Sequence, residues 1–163
     1  MKIATWNVNS INVRLQQVLD WLAENPTEVL CLQEIKCLDE KLPAQPFREA
    51  GYFVTHYGQA SYNGVAIISL PEPHDIETGF DGDAATGQRR FLSATYNGVR
   101  VINTYFPNGQ SLESEKFVYK LGWMKNLRHY LDVNCDPAMP VALCGDYNIA
   151  PDDRDVYDPK AWE

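Results

Sequence analysis

Apolar positions along the chain change their period several times, and each change marks an element. "KIATW" (2–6) reads as a first strand. Leu15, Val18, Leu19 and Leu22 then fall at i, i+3, i+4 and i+7, the spacing of one buried helical face, until Pro26 stops it. "VLCLQE" (29–34) is a short continuous apolar run, as expected of a strand covered on both faces. Residues 38–50 contain Pro43 and Pro46, so only a short helix is predicted there, with Gly51 as its stop. "YFVTHY" (52–57) and "GVAIIS" (64–69) read as strands. Pro71 to Gly87 is a Gly/Pro/Asp-rich excursion with a short strand predicted near Ile76.

"FLSATY" and "VRVINTY" are strand-like runs separated by Asn97-Gly98, the pair that a type I′ hairpin turn requires. A helix is predicted from Glu115 to Leu131, with Phe117, Leu121, Met124 and Leu131 striping one face and Leu127 beside them. "VALC" (141–144) is too short for a helix and reads as a buried strand. Strands and helices alternate around a central hairpin, so the pattern predicts an α/β fold with a mixed sheet and flanking helices. No repeat, low-complexity tract or linker divides residues 1–163, which are expected to form a single domain.

Composition narrows the class. The chain is 45% hydrophobic and 22% charged, which is globular and not disordered. No apolar stretch approaches the roughly 20 residues of a membrane span. Met1-Lys2 leads straight into the first strand and leaves no room for a signal peptide, so a cytoplasmic protein without a membrane partner is expected. Cys31, Cys37, Cys135 and Cys144 show no metal-binding spacing and read as reduced thiols, two of them inside apolar runs. Lys and Arg total 14 against 22 Asp and Glu, a formal charge of −8. That balance argues against a non-specific nucleic-acid binder, yet allows an enzyme that meets a phosphate through a metal and a few placed cations.

The polar punctuation carries the chemistry. Three apolar runs end in polar residues of one kind: Asn7 after "IATW", Glu34 after "VLCLQ", and Asp146 with Asn148 in "VALCGDYN". A fourth run, "VRVINTY", delivers Tyr105 just before the "FPNG" loop. Open α/β sheets collect ligands at the carboxyl ends of their strands. Two carboxylates, two amides and a phenol suit a hard divalent cation, Mg²⁺ or Mn²⁺, and the oxyanion it polarises.

"WNVNS" (6–10), "LQEIK" (32–36), "YNGVAIIS" (62–69), "QRR" (88–90), "INTYFPNG" (102–109) and "GDYNIAP" (145–151) together resemble the exonuclease III family of abasic-site endonucleases, within the endonuclease/exonuclease/phosphatase superfamily. The likeness runs in order to "YDPKAW" and covers essentially the whole chain. It implies a divalent-metal DNA phosphodiesterase of base-excision repair that cleaves 5′ to abasic sites, with 3′→5′ exodeoxyribonuclease activity. Its partner would be double-stranded DNA with abasic sites or 3′ ends, and the full-length protein a monomer. Glu34 would be the principal metal ligand, with Asn7 beside it. Asp146 would activate the attacking water or handle the leaving oxygen. Asn148 would hold the phosphate or keep Asp146 in place, and Tyr105 would donate to a phosphate oxygen. Lys36, Arg89 and Arg90, with Lys116 and Lys120 on the last helix, would meet the DNA backbone.

The family pattern also contains a closing Ser-Asp-His string that this sequence lacks, and His56, His74 and His129 stand in other contexts. The resemblance therefore implies the N-terminal portion of a four-layered, deoxyribonuclease I-like α/β sandwich, truncated before its C-terminal half. On that reading one inner sheet face is left without its partner. The alternatives are a superfamily phosphatase or lipid-headgroup phosphodiesterase, and a catalytically inactive half-domain that serves as an interaction module.

Overall fold

A computed structural model describes residues 1–81 and 87–162, with side chains as far as residue 160. Eight strands and three α-helices follow in the order β1 (Ile3–Asn7), α1 (Ile11–Glu24), β2 (Val29–Gln33), α2 (Ala44–Glu49), β3 (Phe53–Tyr57), β4 (Val65–Ser69), β5 (His74–Thr78), β6 (Phe91–Tyr96), β7 (Val99–Tyr105), α3 (Glu115–Asn134) and β8 (Val141–Asp146) among the described residues. The excursion contains its expected strand, β5; the rest of it in part lies outside the described residues. Asn97 and Gly98 have φ of 50° and 79°, the two positive values of a type I′ turn. No helix among the described residues is long and apolar enough to cross a membrane.

The strands form two sheets, ordered β1-β2-β4-β3 and β5-β6-β7-β8. Each is mixed, with one parallel pair (β1 with β2, β7 with β8) and two antiparallel ones. Side chains alternate across each strand, and on β2, β4, β6 and the middle of β7 both faces are covered, whereas β5 is exposed throughout. Val29, Cys31, Val65 and Ile67 of the first sheet pack against Leu92, Ala94, Tyr96 and Val101 of the second. On the outer face of the first sheet, Leu30, Leu32, Ala66 and Ile68 meet Val18 and Leu22 of α1 and Phe47 of α2. Outside the second sheet, Phe91 and Ile102 meet Trp123 and Leu127 of α3. The continuous apolar runs follow from this two-sided burial.

Three expectations change. The inner sheet face is not bare, because the chain supplies both sheets and all four layers. Among the described residues β8 pairs with β7 alone, at the edge of its sheet, and is half-buried instead of core. On α3 the inward residues are Lys120, Trp123 and Leu127, while Leu121 is 51% exposed. That helix is apolar on more than one side, and the bulk of Trp123 sets its rotation: the indole lies 4.9 Å from the Phe106 ring and 5.4 Å from that of Phe80.

Candidate active site

The parallel pairs bring four carboxyl ends to one place. Asn7 lies opposite Gln33 in β1 and β2, Tyr105 lies opposite Asp146 in β7 and β8, and β1 packs beside β8. A buried amide pair joins the two sheets beneath. Gln33 donates to Asn103 Oδ1 (2.7 Å) and Thr5 Oγ1 (2.9 Å). Asn103 donates to the carbonyls of Leu32 (2.9 Å) and Ala66 (2.8 Å). Sequence reading passed over both; their signal is a polar side chain in the middle of an apolar run, where burial demands a partner.

Backbone bonds fix the chain around Glu34. The amides of Val8, Ser10 and Ile11 donate to the carbonyls of Gln33 (3.0 Å), Glu34 (2.7 Å) and Ile35 (3.0 Å). Glu34 and Lys36 have φ of 52° and 50°, left-handed values that cost a residue with a Cβ roughly 1–2 kcal/mol each. The amides of Ile35 and Lys36 hold this turn by donating to Gly64 O (3.1 Å) and Asn63 O (3.0 Å). Strain held by its surroundings is a common property of functional sites.

Asp146 is placed by Gly145, whose φ is 145°, and a Cβ there would stand 2.0 Å from Thr104 O. Only glycine lets β8 approach β7 so closely. Asn148 N then donates to Asp146 Oδ1 (2.9 Å), and the Asn148 side chain donates to Phe106 O (2.9 Å). Asp146 and Asn148, with Asn108 and Gln110, line an open depression of about 440 Å³.

Six of the residues read from sequence as chemical converge here: Asn7, Glu34, Lys36, Tyr105, Asp146 and Asn148. Asn7 Nδ2 bridges two carboxylates, at 2.8 Å from Glu34 Oε1 and 2.7 Å from Asp146 Oδ2, while Asn9 N donates to Asn7 Oδ1 (3.0 Å). Lys36 Nζ lies 2.9 Å from Glu34 Oε2 and 2.5 Å from Asn9 Oδ1. Burial pushes the Glu34 carboxyl up, but hydrogen bonds from Asn7, Lys36 and Tyr105 outweigh it and leave its pKa below the ordinary value. The Tyr105 phenol is pushed up to about 12, first by burial and then by donating to Glu34. It therefore stays a proton donor at neutral pH.

The two arginines have different partners: Arg89 lies apart from this cluster, whereas Arg90 packs on its Tyr105. Arg89 Nη1 reaches Asp39 Oδ2 (2.6 Å) and Gly58 O (2.5 Å), with its guanidinium over the Tyr57 ring. Arg90 is 8% exposed, donates to Gln88 Oε1 (2.7 Å) and Tyr105 O (3.0 Å), and covers the Tyr105 ring at 4.6 Å. Its guanidinium thus faces Tyr105 and not solvent. Lys120 is likewise turned inward: 7% exposed, it donates to Asn148 O (2.5 Å) and braces the loop after β8.

Among the described residues no group of three His, Cys, Asp or Glu side chains could hold a metal ion. Mg²⁺ asks for less, one or two carboxylates with several waters. Glu34 and Asp146, held near one amide, with the amide oxygen of Asn7, are a hard oxygen set of that kind. The donor chemistry fits Mg²⁺ or Mn²⁺, provided the Asn7 amide turns its oxygen inward.

The model of the endonuclease/exonuclease/phosphatase family matches residues 4–162. The chain belongs to this family. It is 35% identical to an exodeoxyribonuclease III from Haemophilus influenzae over 161 residues, 96% of this chain and 60% of that protein. A 3′-5′ exonuclease from Neisseria meningitidis is 46% identical and superposes with a TM-score of 0.94, covering 100% of this chain and 64% of that one. An AP endonuclease from Archaeoglobus fulgidus is 44% identical with a TM-score of 0.92, covering 99% of this chain and 63% of that one. The chain thus spans about 60% of the length of such relatives. Its two-sheet architecture is the deoxyribonuclease I-like sandwich of these neighbours.

Proposed function

We propose that this chain carries the metal-site portion of a divalent-metal DNA phosphodiesterase of base-excision repair, cleaving 5′ to abasic sites and acting as a 3′→5′ exodeoxyribonuclease. The observation that carries the reading is the Asn7 amide bridging Glu34 and Asp146 at the carboxyl ends of strands from both sheets. The substrate would be double-stranded DNA with abasic sites or 3′ ends, in the cytoplasm.

The residues divide the work by chemistry. Asp146, with one oxygen anchored by Asn148 N and the other by Asn7, keeps free lone pairs to take a proton from a water attacking phosphorus. The water oxygen forms its bond to phosphorus as the bond to the leaving 3′ oxygen breaks, and that oxygen takes a proton from solvent and ends as a hydroxyl. Tyr105, kept protonated, donates to a non-bridging phosphate oxygen as charge builds there. Asn148 offers a neutral donor next to the anionic substrate. Glu34, and Asn7 once its amide oxygen is turned inward, would hold Mg²⁺ or Mn²⁺, which when bound would supply Lewis-acid polarisation of the phosphate.

The test combines Mn²⁺ calorimetry with cleavage of an end-labelled abasic duplex in Mg²⁺. E34Q should weaken Mn²⁺ binding measurably. D146N should leave duplex binding nearly unchanged or slightly tighter while turnover falls by about 10²–10⁴-fold. Equal Mn²⁺ affinity in wild type and E34Q, or parallel loss of binding and cleavage in folded D146N, would overturn the assignments. Hydrolysis of an inositol phosphate in place of the abasic duplex would move the activity to another branch of the family.

A further inference from the structure

We infer that Asp39 is a positioning residue for the Glu34 site, acting through the 58–64 loop, an inference that rests on the proposed function only in reading Glu34 as a metal holder. Asp39 opens the short 3₁₀ turn Asp39–Lys41, outside the cluster of strand ends. Its Oδ1 lies 2.7 Å from His56 Nδ1 and accepts from Gly58 N (2.7 Å); its Oδ2 accepts from Arg89 Nη1 (2.6 Å). One carboxylate therefore ties together its own turn, the end of β3 and the segment entering β6.

From there the bonds run towards the site. Arg89 Nη1 also donates to Gly58 O (2.5 Å), and Arg89 N donates to Gln59 Oε1 (2.9 Å). The same Gln59 oxygen accepts from Asn63 Nδ2 (3.1 Å), and Gly64 N donates to Arg89 O (2.9 Å). The loop so fixed presents Asn63 O and Gly64 O to the amides of Lys36 and Ile35, the bonds that hold Glu34 and Lys36 in left-handed conformations. Two residues with Cβ atoms rest there only while the surroundings hold them. Asp39 stands at the far end of that chain of contacts. Burial would raise its pKa, yet the bonds from His56 and Gly58 N prevail and lower it, so the anchor keeps its charge.

D39N preserves size but puts an amide donor where His56, Gly58 N and Arg89 all supply donors. Two readouts separate positioning from mere stability, and H56A, which removes one of the three donors, is the milder companion. In D39N, Mn²⁺ affinity should fall by about 10-fold, the scale of outer-shell substitutions around metal ligands. Amide exchange at Ile35 and Lys36 should speed up by roughly 10-fold, while Cys31 and Leu32 inside β2 keep their rates. H56A should fall between wild type and D39N on both scales. Unchanged exchange at Ile35 and Lys36 in either variant would overturn the inference, whatever happens to Mn²⁺. Faster exchange with unchanged Mn²⁺ affinity would overturn it too, since the loop would then not position the site. Faster exchange in a chain whose wild type binds no Mn²⁺ would support the loop mechanism and strike down the metal reading of Glu34.

Discussion

Glu34 is a carboxylate in a left-handed turn, next to a second carboxylate, with Asn7, Lys36 and Tyr105 all donating to it. Those donors prefer the anion and depress its pKa against the opposing effect of burial. A depressed folded-state value means that the unfolded chain takes up the proton first as pH falls. The stabilisation is therefore complete above the ordinary glutamate range, about 4.3, and is lost as pH drops through the lower folded value. The stability difference between wild type and E34Q, followed by urea unfolding, should stay constant above about pH 5 and move against wild type below about pH 4. A difference that moves in favour of wild type on acidification would show that Glu34 is destabilised as an anion. This residue was legible in the sequence because an acid closing an apolar run is costly without a partner. The burial of Arg90 was not legible for the converse reason: a charged side chain reads as exposed, and nothing local reveals that it will pack on Tyr105 and its carbonyl.

At the level of elements, the strand runs, the hairpin and the first helix could be read directly, because two-sided burial and a type I′ turn leave local marks. Pairing could not. Periodicity is the same whether eight strands make one sheet or two, so the second inner face, the edge position of β8 and the Gln33–Asn103 link emerge only when the sheets meet. The phase of α3 was legible only in part: Met124, Leu127 and Leu131 of the expected face do pack inward, but Leu121 is turned out and Trp123, outside that face, takes the centre against Phe80 and Phe106. Gly145 lets β8 lie against Thr104, so G145A must push the strand away from β7 or break its register. The expected cost is about 3 kcal/mol or more in unfolding free energy, with Asp146 displaced and Mn²⁺ binding weakened. An alanine variant within about 0.5 kcal/mol of wild type would mean that β8 has room to move away from Thr104 O without loss.

Across the whole molecule, the four layers put a metal-site candidate on one rim of a chain whose formal charge is −8. Affinity for an anionic duplex therefore has to come from local cations, and folding has reduced their number. Arg90 and Lys120 are buried at 8% and 7% exposure, on Tyr105 and on the carbonyl of Asn148. Lys36 and Arg89 are half-buried and already paired, with Glu34 and Asp39, so each would exchange a carboxylate for a phosphate. Lys116 is the cation of this set that remains open. Each phosphate neutralised contributes roughly −0.9 to the slope of log affinity against log salt, so three contacts set a limit of about −3. Binding of an abasic duplex by this chain, titrated by fluorescence anisotropy from low to physiological salt at fixed Mg²⁺, should show a slope no steeper than that. K116A should flatten it by up to about one unit. R90A should lower stability, by uncovering Tyr105, and leave the slope where it was. A slope much steeper than −3, or one that R90A flattens as K116A does, would mean that the buried arginine swings out to meet the backbone, and that its stacking on Tyr105 is only the resting half of its role.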